Sequence, residues 1–359
     1  IALLLFEILV LPLTKKEGDN VMKAIIIKEP FNISITDVGI PIIKDDEVLI
    51  KVISGGICGS DIGIYNGTNS LATYPRIIGH EYGGEIVEVG SNVSGLKVGD
   101  LVAVDPVRSC GKCYACRNDR HNVCIELEVT GVHRDGGFAE YVSTPAANVY
   151  PIKEGAIDKN YICLVEPYTI GAQVNHRGNI QKGDIVLIMG SGPIGICIMQ
   201  VAKTRGAYVI MTDILDTRLA LAKEMGADVT INVKKQDLSE ILREYNNGEG
   251  IPVVIDTVCN VESFEQALEL ACPAGRVVPL GLINKPSSIA QVTITKKELT
   301  VVGSRLSNKR FPEVIEGFEK GILTPEKLCT RVFPYTQIEE AFRIIRETPE
   351  KVCKLILSF

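Results

Sequence analysis

Positive charge is in short supply: 38 lysines and arginines stand against 44 aspartates and glutamates, a formal net charge of −6. A general nucleic-acid binder needs a basic surface to displace counterions from phosphate, so the balance argues against that class and leaves small molecules as the expected partners. Long apolar runs are also missing. The opening stretch, Ile1 to Leu13, is interrupted by Glu7 and falls short of the roughly 20 residues a spanning helix needs. It has neither a positive leader nor a small-residue cleavage site, so no membrane partner and no secretory signal are expected. Residues 1–21 read as an extension, disordered or upstream translation, ahead of the strand-like Met22-Lys23-Ala24-Ile25-Ile26-Ile27. The chain also lacks internal repeats and low-complexity tracts, which removes solenoids and disordered arrays from consideration.

What is present suits two ordinary globular cores: 359 residues, 46% hydrophobic and 23% charged. Of eleven cysteines, four crowd into Cys110–Cys124 and the rest scatter, many within apolar runs. That distribution fits metal ligands plus buried thiols in a reducing cytoplasm rather than a disulfide framework. Up to about Tyr150 short β-rich runs (Glu47 to Ser54, Gly84 to Val89, Leu101 to Val104) alternate with glycine and proline. From about Ile180 the pattern becomes strand, glycine turn, helix, repeated: Ile185 to Met189, Ile194 to Thr204, Tyr208 to Thr212, Thr217 to Met225, Val253 to Asp256. Such alternation predicts a doubly wound parallel sheet covered by helices, and with the β-rich part it gives an α/β fold class. Helical stretches at Phe311 to Lys320 and Ile338 to Glu347 precede a final strand, Lys354 to Ser358, placed to return to the first unit.

The strand Ile185 to Met189 runs into Gly190-Ser191-Gly192-Pro193-Ile194-Gly195, a G-x-G-x-x-G between a strand and a helix. The first glycine makes the turn, Gly192 lets a pyrophosphate approach the helix N-terminus, and Gly195 permits close helix-to-strand packing. Asp213 ends the next strand, about 20 residues on, where a carboxylate accepts from ribose hydroxyls and repels a 2′-phosphate. NAD is therefore expected over NADP, with Arg218 nearby as a cation that weakens the distinction. As an ordinary strand-end or capping residue, Asp213 would carry no such meaning.

Cys110-x2-Cys113-x2-Cys116-x7-Cys124 brings four thiolates to one loop, a closed shell suited to structural zinc. An iron–sulfur ligand set is the rival reading of the same spacing. A second, dispersed set comprises Cys58, the pair His80-Glu81, and Glu166. One sulfur, one nitrogen and a carboxylate leave a fourth position open, as catalytic zinc requires. Taken singly each has a bland explanation: a buried thiol, a core histidine, a surface charge.

The segment Gly79-His80-Glu81-x2-Gly84-x5-Gly90-x2-Val93 resembles the zinc-containing alcohol dehydrogenase signature of the medium-chain dehydrogenase/reductase superfamily. The cysteine lobe, the glycine loop and their order along the chain fit as well. Gly131-Val132-His133-x-Asp135-Gly136-Gly137-Phe138, Gly303-Ser304-Arg305 and the carboxy-terminal Lys354 to Phe359 resemble the bacterial branch that holds L-galactonate oxidoreductase and starvation-sensing dehydrogenase-like proteins. The resemblance implies a GroES-like catalytic domain (residues 22–166 and 304–359) around a Rossmann domain (167–303). It also implies two zinc ions per chain and hydride transfer between NAD and a secondary alcohol of a polyol, sugar acid or sugar phosphate. By position Cys58 and His80 match zinc ligands, Glu81 and Glu166 compete for the third place, Asp61 matches the group that orients the histidine, and Ser60 the hydroxyl that passes the proton. Many relatives carry a histidine five residues after the ligand cysteine; here the residue is Gly63.

Arg305, with its planar fork of donors, is a candidate for holding a substrate carboxylate or phosphate, and His133 is a second candidate of that kind. A surface or domain-interface arginine is the bland alternative. A homodimer or homotetramer is expected. The competing function is a nucleotide-binding, starvation-sensing protein of the same fold with little turnover.

Overall fold

The computed structural model describes residues 21–359; residues 1–20, most of the expected extension, lie outside the described residues. The first strand, Val21–Glu29, begins one residue ahead of the expected Met22 and pairs antiparallel with Asn32–Gly39. The tight connection is made through Phe31, whose φ is +64°.

A seven-stranded sheet carries Glu81 and is flanked by Cys58 and His80. Its order is Val149–Ile152, Leu101–Val104, Glu81–Val89, Glu47–Gly56, Lys354–Ser358, Cys329–Pro334, with Tyr141–Pro145 also paired to Glu47–Gly56. Glu47–Gly56 is central and nearly continuously buried, which is why it reads as an apolar run. Beside it the backbone of Glu81–Val89 approaches so closely that a Cβ at Gly84 would sit 2.0 Å from the Lys51 carbonyl oxygen. The glycine in the His80-Glu81 signature is thus a packing requirement of this strand pair.

The second sheet has six strands, all parallel, in the order Val229–Asn232, Tyr208–Asp213, Ile185–Met189, Ile251–Asp256, Ala271–Pro279, Thr300–Val301. This is the 3-2-1-4-5-6 order of a dinucleotide-binding fold, whose ligand crevice opens where the order reverses, between Ile185–Met189 and Ile251–Asp256. Helices Pro193–Thr204, Asp216–Glu224 and Val261–Leu270 alternate with its strands. Val186, Leu187 and Ile188 are fully buried, as expected for a strand covered on both faces. The helix Val165–Arg177 packs on Pro193–Thr204 and connects the two sheets, and the last strand, Lys354–Ser358, returns to the first.

Candidate active site

Register assembles the first cluster. Gly56 is paired with Glu81, so the turns that follow and precede these residues place Cys58 beside His80. Cys58 caps the helix Gly59–Tyr65, and Asp61 in its first turn is fully buried. Asp61 accepts from the Cys58 N–H at 2.9 Å and from the Gly79 N–H at 3.3 Å, tying the two turns together. Its Oδ1 lies 3.8 Å from His80 Nδ1, so it faces the imidazole without a direct hydrogen bond. Donor atoms of Cys58, His80 and Glu81 lie within 4.8 Å of one another. Glu166 stands in the first turn of Val165–Arg177, buried, outside that tight group.

The electrostatics of the cluster ask for a cation. Burial pushes the Glu166 carboxyl up to about 8 against the opposing pull of His80. Burial likewise raises Asp61, again opposed by His80. For His80 burial works downward, but the nearby Cys58, Asp61 and Glu166 outweigh it and hold the imidazole well above its ordinary range. Protons on His80 and Glu166 thus balance charge that a divalent ion would balance on the same donor set. Ser60 Oγ is buried with no partner among the described residues, free for a ligand hydroxyl.

The residue missed in the sequence is Lys354. Its Nζ donates to both oxygens of Glu81 at 2.7 and 2.8 Å and to the Ile57 carbonyl at 3.2 Å, with both side chains buried. The signal was a lysine opening an otherwise apolar terminal strand. This pairing separates the two competing carboxylates: Glu81 is within ligand distance but neutralised by Lys354, whereas Glu166 has no lysine or arginine partner among the described residues.

In the cysteine lobe the sulfurs of Cys110 and Cys124 are 3.4 Å apart, Cys113 and Cys116 3.5 Å, Cys113 and Cys124 3.8 Å. A tetrahedron of Zn–S bonds of about 2.3 Å places its sulfurs about 3.8 Å apart, so the spacing of the four fits a single ion. A multi-iron cluster would hold its thiolates further apart, on the outside of a bulkier core. Backbone N–H groups of Cys116 and Ile125 hold the Cys113 thiol down at about 6, ready to ligate as thiolate.

The glycine loop behaves as its spacing implies. Gly190 has φ +101°, and a Cβ on Gly195 would lie 2.1 Å from the Gly190 carbonyl oxygen. Gly192 caps the helix that Pro193 and Ile194 open, and a Cβ there would meet nothing within 4 Å. Nothing among the described residues demands glycine at 192, which leaves close approach of a ligand as the reason. Asp213 accepts from Ser191 N–H at 3.0 Å, Ile214 N–H at 2.7 Å and Leu215 N–H at 3.0 Å, fixing its carboxylate at the loop. One of a carboxylate's roughly four lone-pair sites remains for a ribose hydroxyl. Arg218 Nη1 is 3.9 Å from it and Nε is buried without a partner among the described residues. Both residues line a cleft of about 820 Å³ with Gly190, Gly192, Pro193 and Thr257.

Arg305 is half-buried just past the edge strand Thr300–Val301, and its guanidinium makes no ion pair or hydrogen bond among the described residues. His133 is placed otherwise. Its Nδ1 accepts from Val129 N–H at 3.0 Å, and it lines a separate cavity of about 640 Å³ with Arg76, Arg108 and Arg134. Gly63, in the helix of Cys58, has only ordinary contacts around a would-be Cβ, at 3.6 Å and beyond.

A cysteine-rich metal lobe, a mixed thiol–imidazole–carboxylate cluster and a dinucleotide cleft in one chain define a zinc-type oxidoreductase. The zinc-binding dehydrogenase family matches residues 193–320 and the alcohol dehydrogenase GroES-like domain matches residues 44–154. The starvation-sensing protein RspB of Escherichia coli (strain K12) is 44% identical over 94% of this chain and 99% of its own length. L-galactonate-5-dehydrogenase of the same strain is 35% identical over 95% of this chain and 100% of its own. The solved structure of the rspB alcohol dehydrogenase from E. coli CFT073, complexed with NADH, superposes with a TM-score of 0.90 at 42% identity, covering 95% of this chain and 100% of that one. The chain belongs to the zinc-containing alcohol dehydrogenase family, an oxidoreductase with the GroES-like and Rossmann architecture expected from its motifs. No helix among the described residues is long and apolar enough to cross a membrane.

Proposed function

We propose that this oxidoreductase transfers hydride between NAD and a secondary alcohol of a polyol, sugar acid or sugar phosphate, with one zinc ion held by Cys58, His80 and a carboxylate and another by the four-cysteine lobe. The carrying observation is the convergence of Cys58, His80 and Glu81 donor atoms within 4.8 Å, in a buried acidic setting. We assign residues 22–166 and 304–359 to the catalytic unit and 167–303 to the nucleotide-binding unit. The chain is read as a cytoplasmic homodimer or homotetramer without nucleic-acid or membrane partners. When bound, zinc supplies a Lewis acid that lowers the pKa of the alcohol oxygen. Ser60 Oγ accepts the alcohol proton as it passes its own onward, Asp61 holds the Cys58 and Gly79 backbones in place, and the third ligand is Glu81, within 4.8 Å of the other donors, or Glu166, which has no lysine or arginine partner among the described residues. The glycine loop and Asp213 orient the nucleotide. NADH absorbance on a panel of polyols, sugar acids and sugar phosphates tests the reading. One zinc ion per chain and no turnover would favour a sensing protein instead, a reading that the relatives named as dehydrogenases do not favour.

Cofactor choice gives a sharper outcome. Wild-type protein should prefer NAD. Asp213→Ala should lower kcat/KM with NAD by about tenfold or more, since a hydrogen bond to a charged group contributes about 1.5–3 kcal/mol. It should also narrow the gap to NADP by removing the carboxylate that repels a 2′-phosphate. Better activity of the wild type with NADP would contradict the assignment.

Arg305 is the group we assign to the anionic end of the substrate, because its half-buried guanidinium makes no ion pair or hydrogen bond among the described residues just past the edge strand Thr300–Val301. Arg305→Lys replaces a two-pronged fork by a point charge. KM for a sugar acid or sugar phosphate should rise about tenfold with kcat nearly unchanged, while a neutral polyol should respond hardly at all. Equal effects on both substrates would return the question to neutral polyols.

A further inference from the structure

Eleven buried side-chain polar atoms lack a hydrogen-bond partner among the described residues, and five of them gather at one seam: Arg120 Nε, Asn122 Oδ1, Ser304 Oγ, Ser307 Oγ and Asn308 Oδ1. Here the cysteine lobe meets the segment 303–309 that leaves the parallel sheet. Two asparagines cross the seam in opposite directions. Asn122, between the third and fourth lobe cysteines and 1% exposed, donates from Nδ2 to the Arg305 carbonyl at 2.7 Å. Asn308, 7% exposed, donates from Nδ2 to the Asp119 carbonyl of the lobe at 2.8 Å. Lys309 pairs with the Asp119 carboxylate, and Arg177 Nε donates to the Gly303 carbonyl at 3.0 Å. On the sheet side, Val302 and Ser304 N–H groups donate to the Val277 and Pro279 carbonyls at 2.9 and 3.2 Å.

The orientation of each amide is forced, because turning it over would set its oxygen against a carbonyl oxygen. Each asparagine therefore commits its donor to the backbone on the far side of the seam and leaves its own acceptor unmet among the described residues. The Arg305 side chain has no partner among the described residues, so its position follows from what holds its backbone.

We propose that Asn122 and Asn308 form a reciprocal clamp that docks segment 303–309 on the cysteine lobe and thereby positions Arg305 for the anionic end of the substrate. This rests on the assignment of Arg305 to that anion. The asparagines are positioning residues: they touch neither substrate nor cofactor, and they link the metal lobe to substrate selection. The clamp also gives Asn122, flanked by Cys116 and Cys124, a role beyond folding the lobe.

The test uses the zinc-loaded full-length enzyme with Asn122→Leu, Asn308→Leu and Arg305→Lys made singly and in pairs, a sugar acid and a neutral polyol as substrates, and zinc content measured for each. Either leucine variant should retain two zinc ions, raise KM for the sugar acid about tenfold, and change kcat and the polyol KM by less than about twofold. Combined with Arg305→Lys, the leucine variant should add little, because both act on one contact. If Arg305→Lys is anion-selective while both leucine variants are silent, or if the effects multiply, the clamp is overturned and the substrate assignment stands. If Arg305→Lys affects both substrates alike, the assignment falls and takes the clamp's purpose with it. Should Asn122→Leu lose lobe zinc, Asn308→Leu decides the matter, since it lies outside the cysteine segment.

Discussion

Cys58→Ala should remove one of two zinc ions and lower turnover on the order of 10³-fold or more, while leaving the protein folded. The size follows from the charge stabilisation a Lewis acid supplies, several kcal/mol, at 1.36 kcal/mol per tenfold. Retention of the fold follows from where Cys58 sits. It is a half-buried cap rather than a core residue, and the hydrogen bond from its backbone N–H to Asp61 survives truncation of the side chain. The strand pair that carries it, Glu47–Gly56 with Glu81–Val89, does not depend on the thiol. The remaining ion should stay in the lobe, whose four sulfurs lie 3.4–3.8 Å from their neighbours. Metal analysis and circular dichroism on the same preparation read the outcome. Two ions retained, or a collapsed fold, would show that the division between an open and a closed metal site is misplaced.

The elements that position this site were legible where burial is uniform. Ile185–Met189 and Leu101–Val104 were read with their observed bounds because a strand covered on both faces is an unbroken apolar run. Helix Ile338–Glu347 has the apolar face of a 3.6-residue period, whereas Pro193–Thr204, buried without a break from Gly195 to Ala202, is legible as Ile194 to Thr204 from the glycine turn that precedes it. Three strands of the parallel sheet were not legible. Val229–Asn232 is short and half-exposed at the edge, Thr300–Val301 is two residues long, and Ala271–Pro279 contains Pro273, Ala274 and Gly275, which read locally as a turn. The ligand types were legible because thiol, imidazole and carboxylate stand in recognisable segments. Which carboxylate is neutralised was not, because the deciding contact, Lys354 with Glu81, spans 273 residues and has no local pattern.

That contact carries the second large effect. Lys354→Met should destabilise the protein by about 3–5 kcal/mol, the cost of leaving a buried charge without its partner. Lys354 is 3% exposed and gives its three donors to Glu81 Oε1, Glu81 Oε2 and the Ile57 carbonyl, so a methionine of similar length fills the space and satisfies none of them. Burial alone would depress the Lys354 ammonium, yet the Glu81 carboxylate overrides it and holds it above the ordinary lysine range. A cation raised in this way contributes stability that is fully present below its unfolded value of about 10.4 and is lost only as pH rises through the folded value. The wild-type contribution should therefore be level from pH 6 to 9. Denaturant unfolding of the zinc-loaded protein at pH 8 measures the deficit. Adding Glu81→Leu to Lys354→Met removes the stranded charge and should recover most of the loss, because an apolar pair often replaces a buried ion pair at little cost. Activity should not return with stability, since the double variant lacks a carboxylate whose oxygen lies within 4.8 Å of the Cys58 and His80 donors. A Lys354→Met protein as stable as wild type at pH 8 would mean that Glu81 takes its countercharge from the zinc site instead, making Glu81 rather than Glu166 the standing ligand.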